Sequence, residues 1–160
     1  MNQKIVMVSG GFDPLHGGHI ALLEAARKLG DTLVVGLNSD EWLFKKKGKP
    51  FMDFSQRLDI MANLKMVDHV VPFDDDDGSA NQFIKDCKRV YGPDCHYIFA
   101  NGGDRNGNNI PENVSGVCWY SGVGGENKRN SSSNLNRTKR HWGFFDEVLK
   151  YTDAKVKVLE

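Results

Sequence analysis

The sequence predicts an α/β protein with a Rossmann-like fold, a doubly wound parallel sheet of five strands with helices on both faces. Short apolar segments rich in β-branched residues alternate along the chain with segments whose apolar residues recur at helical spacing. Near-continuous apolar strands are typical of parallel sheets covered on both sides, and right-handed crossovers distribute the helices over both faces. A chain of 160 residues is long enough to form one such domain with a sizeable core.

The predicted elements alternate along most of the chain. The strands are expected at residues 4–9, 32–37, 68–73, 95–100 and 114–120. The helices are expected at residues 18–29, followed by Gly30 as a C-terminal stop, at residues 55–66 with Ser55 as the N-cap, and at residues 79–91. The basic segment 41–54 and the Gly- and Asn-rich segments 101–112 and 122–130 are predicted to be irregular. Residues 74–78 contain four adjacent carboxylates, which predict a loop whose acidic side chains lie outside in solvent.

Composition narrows the classes of partner. The 21 basic and 21 acidic side chains balance, so neither nucleic acid nor an anionic membrane is an expected partner. No apolar run approaches the ~20 residues that span a bilayer, and the N-terminal apolar run is too short for a signal peptide, so we expect a cytoplasmic protein. Cys87, Cys95 and Cys118 form no close pair, and we expect them to act as small buried hydrophobic residues.

The strongest chemical signal is the segment GGFDPLHGGH at residues 10–19, where the first strand turns into the first helix. Its glycines let the backbone approach a ligand closely, and the start of the helix offers N–H groups and the positive end of a dipole. His16 and His19 are three residues apart, so both rings can project to one side of the first turn. Such a pair can stabilise negative charge on a phosphate, which phosphoryl-type transfer requires.

This segment resembles the cytidylyltransferase-like nucleotidyltransferases, because residues 16–19 match their HxGH signature and residues 10–15 match the stretch before it. The resemblance implies that His16 and His19 contact the triphosphate and stabilise the transition state at the α-phosphorus. Many members carry a hydroxyl residue at the position of Gly11, so that contact would come from backbone N–H groups or from Ser9. The positions that the resemblance assigns to nucleotide binding in this loop are Ser9, Gly10, Gly11, Phe12, Asp13 and Gly18.

The resemblance extends to about residue 136 and implies further site residues. Residues 35–40 are similar to the end of the second strand in members that act on sugar phosphates, above all the ADP-heptose synthase nucleotidyl domain. Lys47 falls where a flexible lysine can close over the β- and γ-phosphates, as a point charge. Asp40 and Arg57 are implied near the acceptor.

Two later segments carry the rest of the resemblance. Ala100, Gly102 and Asp104 are implied to hold the base through backbone groups near the end of the fourth strand. Asn101 stands where a lysine usually precedes the GGD motif. Ser131, Ser132 and Ser133 lie at the second family signature, where hydroxyl and N–H groups at a helix start suit phosphate oxygens.

The C-terminal residues 137–160 do not continue this pattern. They include WGFF at residues 142–145 and VKVL at residues 156–159, which resemble the opening of the cupin domain of mannose-6-phosphate isomerases. We therefore expect a nucleotidyltransferase domain at residues 1–136 and a C-terminal extension at residues 137–160. That extension is either the start of a second, cupin-like domain or the helix and tail of a complete protein.

The resemblance implies transfer of an NMP unit from ATP or CTP to a phosphorylated sugar or polyol, with release of pyrophosphate. Mg²⁺ is expected to accompany the nucleotide, with no protein ligand assigned to it, and a homodimer is expected. The sugar 1-phosphate adenylyltransferases are the most similar group, and a cytidylyltransferase acting on a substrate such as glycerol 3-phosphate is the alternative. A module that binds nucleotide without turnover is the alternative from a different functional class.

Overall fold

A computed structural model describes residues 2–102 and 114–125 of the chain. The elements in chain order are β1 (Lys4–Gly10), α1 (Gly17–Arg27), β2 (Thr32–Leu37), α2 (Asp40–Lys47), α3 (Phe54–Ala62), β3 (His69–Pro72), α4 (Asn81–Tyr91), β4 (His96–Ala100) and β5 (Val117–Tyr120). The five strands form one sheet in the order β3-β2-β1-β4-β5, and every neighbouring pair is parallel. The predicted α/β fold with a five-stranded parallel sheet is confirmed.

The two faces of the sheet form two apolar clusters, because successive strand side chains point to opposite sides. Val6 and Val8 of β1 pack in one cluster with the apolar side of α1 and part of α3, including Leu23 and Met61. Ile5 and Met7 pack in the other cluster with α4, including Phe83 and Ile84. A central strand that is apolar at consecutive positions is therefore explained by helices on both sides.

The strand order places a topological switch point between β1 and β4. From β1 the chain proceeds through α1 to β2 on one side, whereas β4 and β5 lie on the other side. Ligands of open α/β sheets bind at the carboxyl ends of the strands beside such a point. The loop at residues 11–16 and the segment after Ala100 follow the two strands that flank it.

The prediction that residues 41–54 are irregular was wrong over its first half, which forms α2. The Ser39 hydroxyl accepts a hydrogen bond from the backbone N–H of Trp42, and Gly48 ends the helix with φ 88°. Acidic residues lie in the first turn of α2 and lysines in the last, which suits the helix dipole. The pattern of a serine, two acids and a final Lys-Gly pair was a usable signal for a short helix.

Other boundaries differ by a few residues. Helix α3 begins at Phe54 and its N-cap is Asp53, so the expected Ser55 cap was wrong. The Asp53 carboxylate accepts the Gln56 N–H at 3.0 Å, and this hydrogen bond lowers the pKa of Asp53. Strands β3 and β5 and helix α4 are shorter than predicted.

The cysteines were predicted as buried hydrophobic residues, and this holds in part. Cys87 is buried, Cys95 is half-buried and Cys118 is exposed, and all three are free thiols. Within residues 2–102 and 114–125, no helix has the length and apolarity that a membrane crossing requires.

Candidate active site

The loop between β1 and α1 has a backbone that its glycines and Phe12 make possible. A side chain at Gly10 would begin 3.1 Å from the Phe12 ring, so the missing Cβ lets this ring fold back over the strand end. Phe12 itself has φ 50°, in the left-handed region that residues other than glycine rarely adopt. Conformations of this kind are retained where the surrounding structure fixes them, often at functional sites.

His16 and His19 form a capping box at the start of α1. The Nδ1 atom of His16 accepts the Gly18 N–H at 3.1 Å, and Nδ1 of His19 accepts the His16 N–H at 3.2 Å. The two rings are stacked with centroids 3.7 Å apart, and the Phe12 ring meets the His19 ring edge-on at 4.9 Å.

This capping arrangement also fixes the tautomer of both rings. Because both Nδ1 atoms act as acceptors, the neutral imidazoles carry their proton on Nε2. The pair therefore presents Nε2–H donors at the positive end of α1, a suitable place for an anion.

Asp13 joins this loop to the segment that follows α2. Its carboxylate is 2 % exposed and accepts the backbone N–H groups of Phe51 and Met52, each at 2.7 Å. Its Oδ2 atom also lies 2.8 Å from Nζ of Lys47, which donates a second hydrogen bond to the Asp13 carbonyl. The last residue of α2 is thereby held beside the loop at residues 11–16 and the adjoining His19, together called the histidine loop.

Arg57 joins the ends of β1 and β2 to the segment that follows α2. It is 1 % exposed, and its Nη1 donates to the carbonyls of Gly11 at 3.0 Å and Asn38 at 2.8 Å. Its Nε donates to the Met52 carbonyl at 3.1 Å, and its Nη2 lies 2.6 Å from Oδ1 of Asp40. The planar guanidinium thus braces three loops at once, which a lysine could not do.

The end of β4 lies beside the end of β1, on the side opposite β2. Ala100 is buried and pairs in register with Tyr120, and its side chain belongs to the apolar cluster on the α1 face. Asn101 follows it and is 5 % exposed, and Gly102 is half-buried.

Comparison with known proteins identifies the family. The family model described as "Cytidylyltransferase-like" matches residues 7–117, more than half of the chain. The chain belongs to the cytidylyltransferase-like family. The family and fold that the HGGH segment predicted are confirmed.

The relatives are bacterial proteins several times longer than the match. The "Bifunctional protein HldE" of Actinobacillus pleuropneumoniae is 38 % identical over 144 residues, which is 86 % of this chain and 28 % of that protein. The protein of the same name from Actinobacillus succinogenes is 49 % identical over 76 residues, 46 % of this chain and 16 % of its relative. The chain thus spans less than a third of the length of these relatives.

Two solved structures share the fold. The crystal structure of the lipopolysaccharide core biosynthesis protein from Thermoplasma volcanium GSS1 is 28 % identical, with a TM-score of 0.56 over 75 % of this chain and 98 % of that one. A putative nicotinate-nucleotide adenylyltransferase from Vibrio parahaemolyticus has a TM-score of 0.58 over 86 % of each chain. At 14 % identity, the second likeness concerns the fold alone.

Gly11, the position where the resemblance implies a hydroxyl residue in many members, packs against helix α2. A Cβ at Gly11 would lie 2.6 Å from Cδ2 of the buried Leu43 of α2. Helix α2 therefore packs closer to the loop at residues 11–16 than a side chain at position 11 would allow.

Asp75 is a buried carboxylate beside the candidate site that the sequence pattern did not single out. Its side chain accepts from Asn38 Nδ2 at 2.9 Å, from the Ser39 N–H at 2.8 Å and from the Ser39 hydroxyl at 2.7 Å. The prediction that all four adjacent carboxylates lie in solvent was wrong for Asp75, which is 5 % exposed. Its partners stabilise its charge and fix the turn between β2 and α2.

The structure brings together most of the predicted site residues within the described part of the chain. The histidine loop, Lys47, Asp40 and Arg57 all lie at the carboxyl ends of β1 and β2 and are linked by the contacts given above. Ser9 and Gly10 are the last two residues of β1, and Gly18 lies in the first turn of α1. Asp104, Ser131, Ser132 and Ser133, together with the C-terminal extension at residues 137–160, lie outside the described residues.

Proposed function

We propose that the chain transfers AMP from ATP to a sugar 1-phosphate and releases pyrophosphate. One observation carries this proposal, the stacked pair of His16 and His19 at the start of α1, beside the ion pair of Lys47 and Asp13. The HldE relatives and the resemblance to the ADP-heptose synthase nucleotidyl domain support a heptose-like sugar phosphate as the acceptor.

In the proposed reaction an oxygen of the acceptor phosphate attacks the α-phosphorus. The new bond joins that oxygen to the α-phosphorus, and the bond from the α-phosphorus to the oxygen that bridges to the β-phosphorus breaks. Pyrophosphate leaves with the electrons of the broken bond. Positioning and charge neutralisation suffice for such a step, so a covalent enzyme intermediate is unnecessary.

The proposed roles follow the charges that develop. The Nε2–H groups of His16 and His19 donate to oxygens around the α-phosphorus, where negative charge grows in the transition state. Lys47 exchanges its contact with Asp13 for the β- and γ-phosphates. Backbone N–H groups of the loop at residues 10–13 bind the remaining phosphate oxygens, and Gly18 acts through its N–H, which holds the His16 ring in place.

The other predicted contacts remain part of this proposal. Ala100, Gly102 and Asp104 would hold the base, and Ser131–Ser133 would bind phosphate oxygens. Asp40, whose side chain is 38 % exposed, can still face the acceptor, whereas Arg57 supports the acceptor side through the loops that it braces.

Mg²⁺ would arrive with the nucleotide. Among the described residues no cluster of three His, Cys, Asp or Glu side chains forms a protein cage for a metal. We propose that the ion is held mainly by phosphate oxygens and water, as Mg²⁺ commonly is in nucleotide sites. When bound, the ion would neutralise charge on the triphosphate.

We propose three further properties of the whole protein. It acts as a homodimer in the cytoplasm, and residues 1–136 form its nucleotidyltransferase domain. Light scattering of the purified chain tests the dimer, and limited proteolysis tests the boundary near residue 136.

The proposed reaction is tested by measuring pyrophosphate release with ATP, CTP, GTP and UTP against a panel of sugar 1-phosphates and polyol phosphates. Turnover with ATP and a heptose or hexose 1-phosphate is the expected result. Turnover only with CTP and glycerol 3-phosphate would replace it with the cytidylyltransferase alternative. Tight nucleotide binding without pyrophosphate release from any pair would favour a regulatory module.

A further inference from the structure

Asn101 is a buried polar residue at the end of β4 whose side chain is only partly satisfied. Its backbone N–H donates to the Tyr120 carbonyl at 2.8 Å, and its carbonyl accepts from Val123 N–H at 3.0 Å. Its side-chain Nδ2 is buried and makes no hydrogen bond within residues 2–102 and 114–125. Both backbone groups are therefore used within the fold, whereas the Nδ2 donor has no partner among the described residues.

The strand order places the backbone of Asn101 beside the switch point between β1 and β4. Met7 of β1 is paired with Phe99 of β4. Two residues further along from each of them come Ser9 and Asn101. Ser9 and Gly10 lead directly into the loop that carries His16 and His19. Asn101 thus follows the end of β4, next to the end of β1 that leads into this loop, at the sheet edge where ligands of such folds bind.

A purely structural role does not account for this arrangement. Buried donors without partners are rare and destabilising in native proteins, because they have lost their hydrogen bonds to water. A leucine of similar size would fill the same space without that cost. A donor without a partner at the carboxyl ends of parallel strands, where ligands of such sheets bind, is placed to meet a ligand.

We propose that Nδ2 of Asn101 donates a hydrogen bond to a phosphate oxygen of a bound substrate. An N–H donor needs an acceptor, and the neighbouring strand leads to a helix start with two imidazoles that suits an anion. The oxygen belongs either to the nucleotide triphosphate or to the acceptor phosphate, and the experiment separates these two sources. This inference rests on the proposed function and adds to it a residue that recognises phosphate.

The test uses three variants of the full chain and one control. Asn101→Leu removes the donor at a similar size, Asn101→Asp removes it and adds negative charge, and Asn101→Lys supplies a longer, positively charged donor. Asn2→Leu, at an exposed position before β1 at the opposite end of the strand, is the matched control. Pyrophosphate release gives KM for each substrate, and calorimetry measures binding of ATP and inorganic tripolyphosphate without turnover.

We expect Asn101→Leu to melt at or above the wild-type temperature and to lose about 10- to 100-fold in kcat/KM. A rise confined to the KM of ATP, with weaker tripolyphosphate binding, assigns the contact to the triphosphate. A rise confined to the KM of the acceptor assigns it to the acceptor phosphate. Asn101→Asp should be worse than Asn101→Leu because its charge repels phosphate, and Asn101→Lys should recover part of the loss.

Two results would overturn the inference. One is unchanged kinetics and binding in Asn101→Leu, and the other is equal losses in Asn101→Asp and Asn101→Leu, which would indicate a neutral ligand group. If Asn101→Leu does not fold, the other two variants still test the inference. Asn101→Asp should weaken phosphate binding by charge repulsion, whereas Asn101→Lys should support it. Failure of the wild-type chain to release pyrophosphate would instead count against the proposed function, while the tripolyphosphate comparison would still test Asn101.

Discussion

Nζ of Lys47 lies 2.8 Å from Oδ2 of Asp13, on a carboxylate that also accepts the N–H groups of Phe51 and Met52. The Asp13 side chain is almost fully buried, whereas that of Lys47 is 22 % exposed. The carboxylate therefore anchors the segment after α2 to the histidine loop and holds the lysine charge close to it. A triphosphate bound at this loop would compete with Asp13 for the same ammonium group.

Lys47→Ala is expected to lower kcat/KM for the nucleotide by about 10- to 1,000-fold, as loss of a donor to developing charge does at other sites. Lys45→Ala, two residues earlier on the same helix and exposed, is the control and should stay near the wild-type value. Steady-state pyrophosphate release measures both. Equal effects of the two substitutions would mean that only the general positive charge of α2 matters.

Substitution can separate the helix-capping role of His16 from its proposed role as a donor to phosphate. Asparagine is a good N-cap, so His16→Asn should keep the cap on the Gly18 N–H while losing the Nε2–H donor. His16→Ala loses both and should also lower the free energy of unfolding by about 1 kcal/mol. We expect turnover to fall by orders of magnitude in both variants, measured by pyrophosphate release, and only the alanine variant to lose stability in urea titrations. Wild-type turnover in His16→Asn would remove this ring from the mechanism.

The sequence was sufficient for the sheet and for the family motif at residues 10–19 because both depend on local patterns. Apolar runs predict buried parallel strands, and residues 10–19 carry their signal in ten consecutive positions. The supporting contacts could not be predicted, since they join residues far apart in the chain. Arg57 reaches the Gly11 carbonyl 46 residues away, and Asp75 reaches Ser39 36 residues away. A carboxylate inside an acidic run looks solvated until its distant partners are known.

Gly11 and Leu43 should be energetically coupled. Gly11→Ala places a Cβ 2.6 Å from Cδ2 of Leu43, which is too close for two carbon atoms. Because Leu43 is buried, its side chain has little room to move away. We expect a loss of about 1–3 kcal/mol in the free energy of unfolding. In the Leu43→Ala background the same substitution should cost much less, so a double-mutant cycle by urea unfolding should give a non-zero coupling term. Strict additivity would show that α2 shifts freely away from the loop.

Arg57 is expected to act as a brace for the strand-end loops. Arg57→Lys keeps the charge but cannot supply the forked donors that reach Gly11, Asn38 and Asp40 together, so stability should fall by about 2 kcal/mol or more. Arg89→Lys, at an exposed position on α4, is the control and should be nearly neutral. Thermal unfolding measures both variants, and substrate kinetics separate the roles. A variant of wild-type stability with only a raised KM for the acceptor would make Arg57 an acceptor ligand instead.

Native-state alkylation should distinguish the three thiols. Burial raises the pKa of the Cys87 thiol to about 12, so almost no thiolate forms there at pH 8, and the side chain is shielded as well. Iodoacetamide should therefore modify the exposed Cys118 first and Cys87 only after unfolding in urea, as peptide mass spectrometry can show. Because the folded pKa lies above the ordinary thiol value of 9.0, this thiol adds stability that is complete below pH 9 and is lost as pH rises towards 12. Alkylation of Cys87 at the same rate as Cys118 in the native protein would mean that α4 opens readily from the sheet.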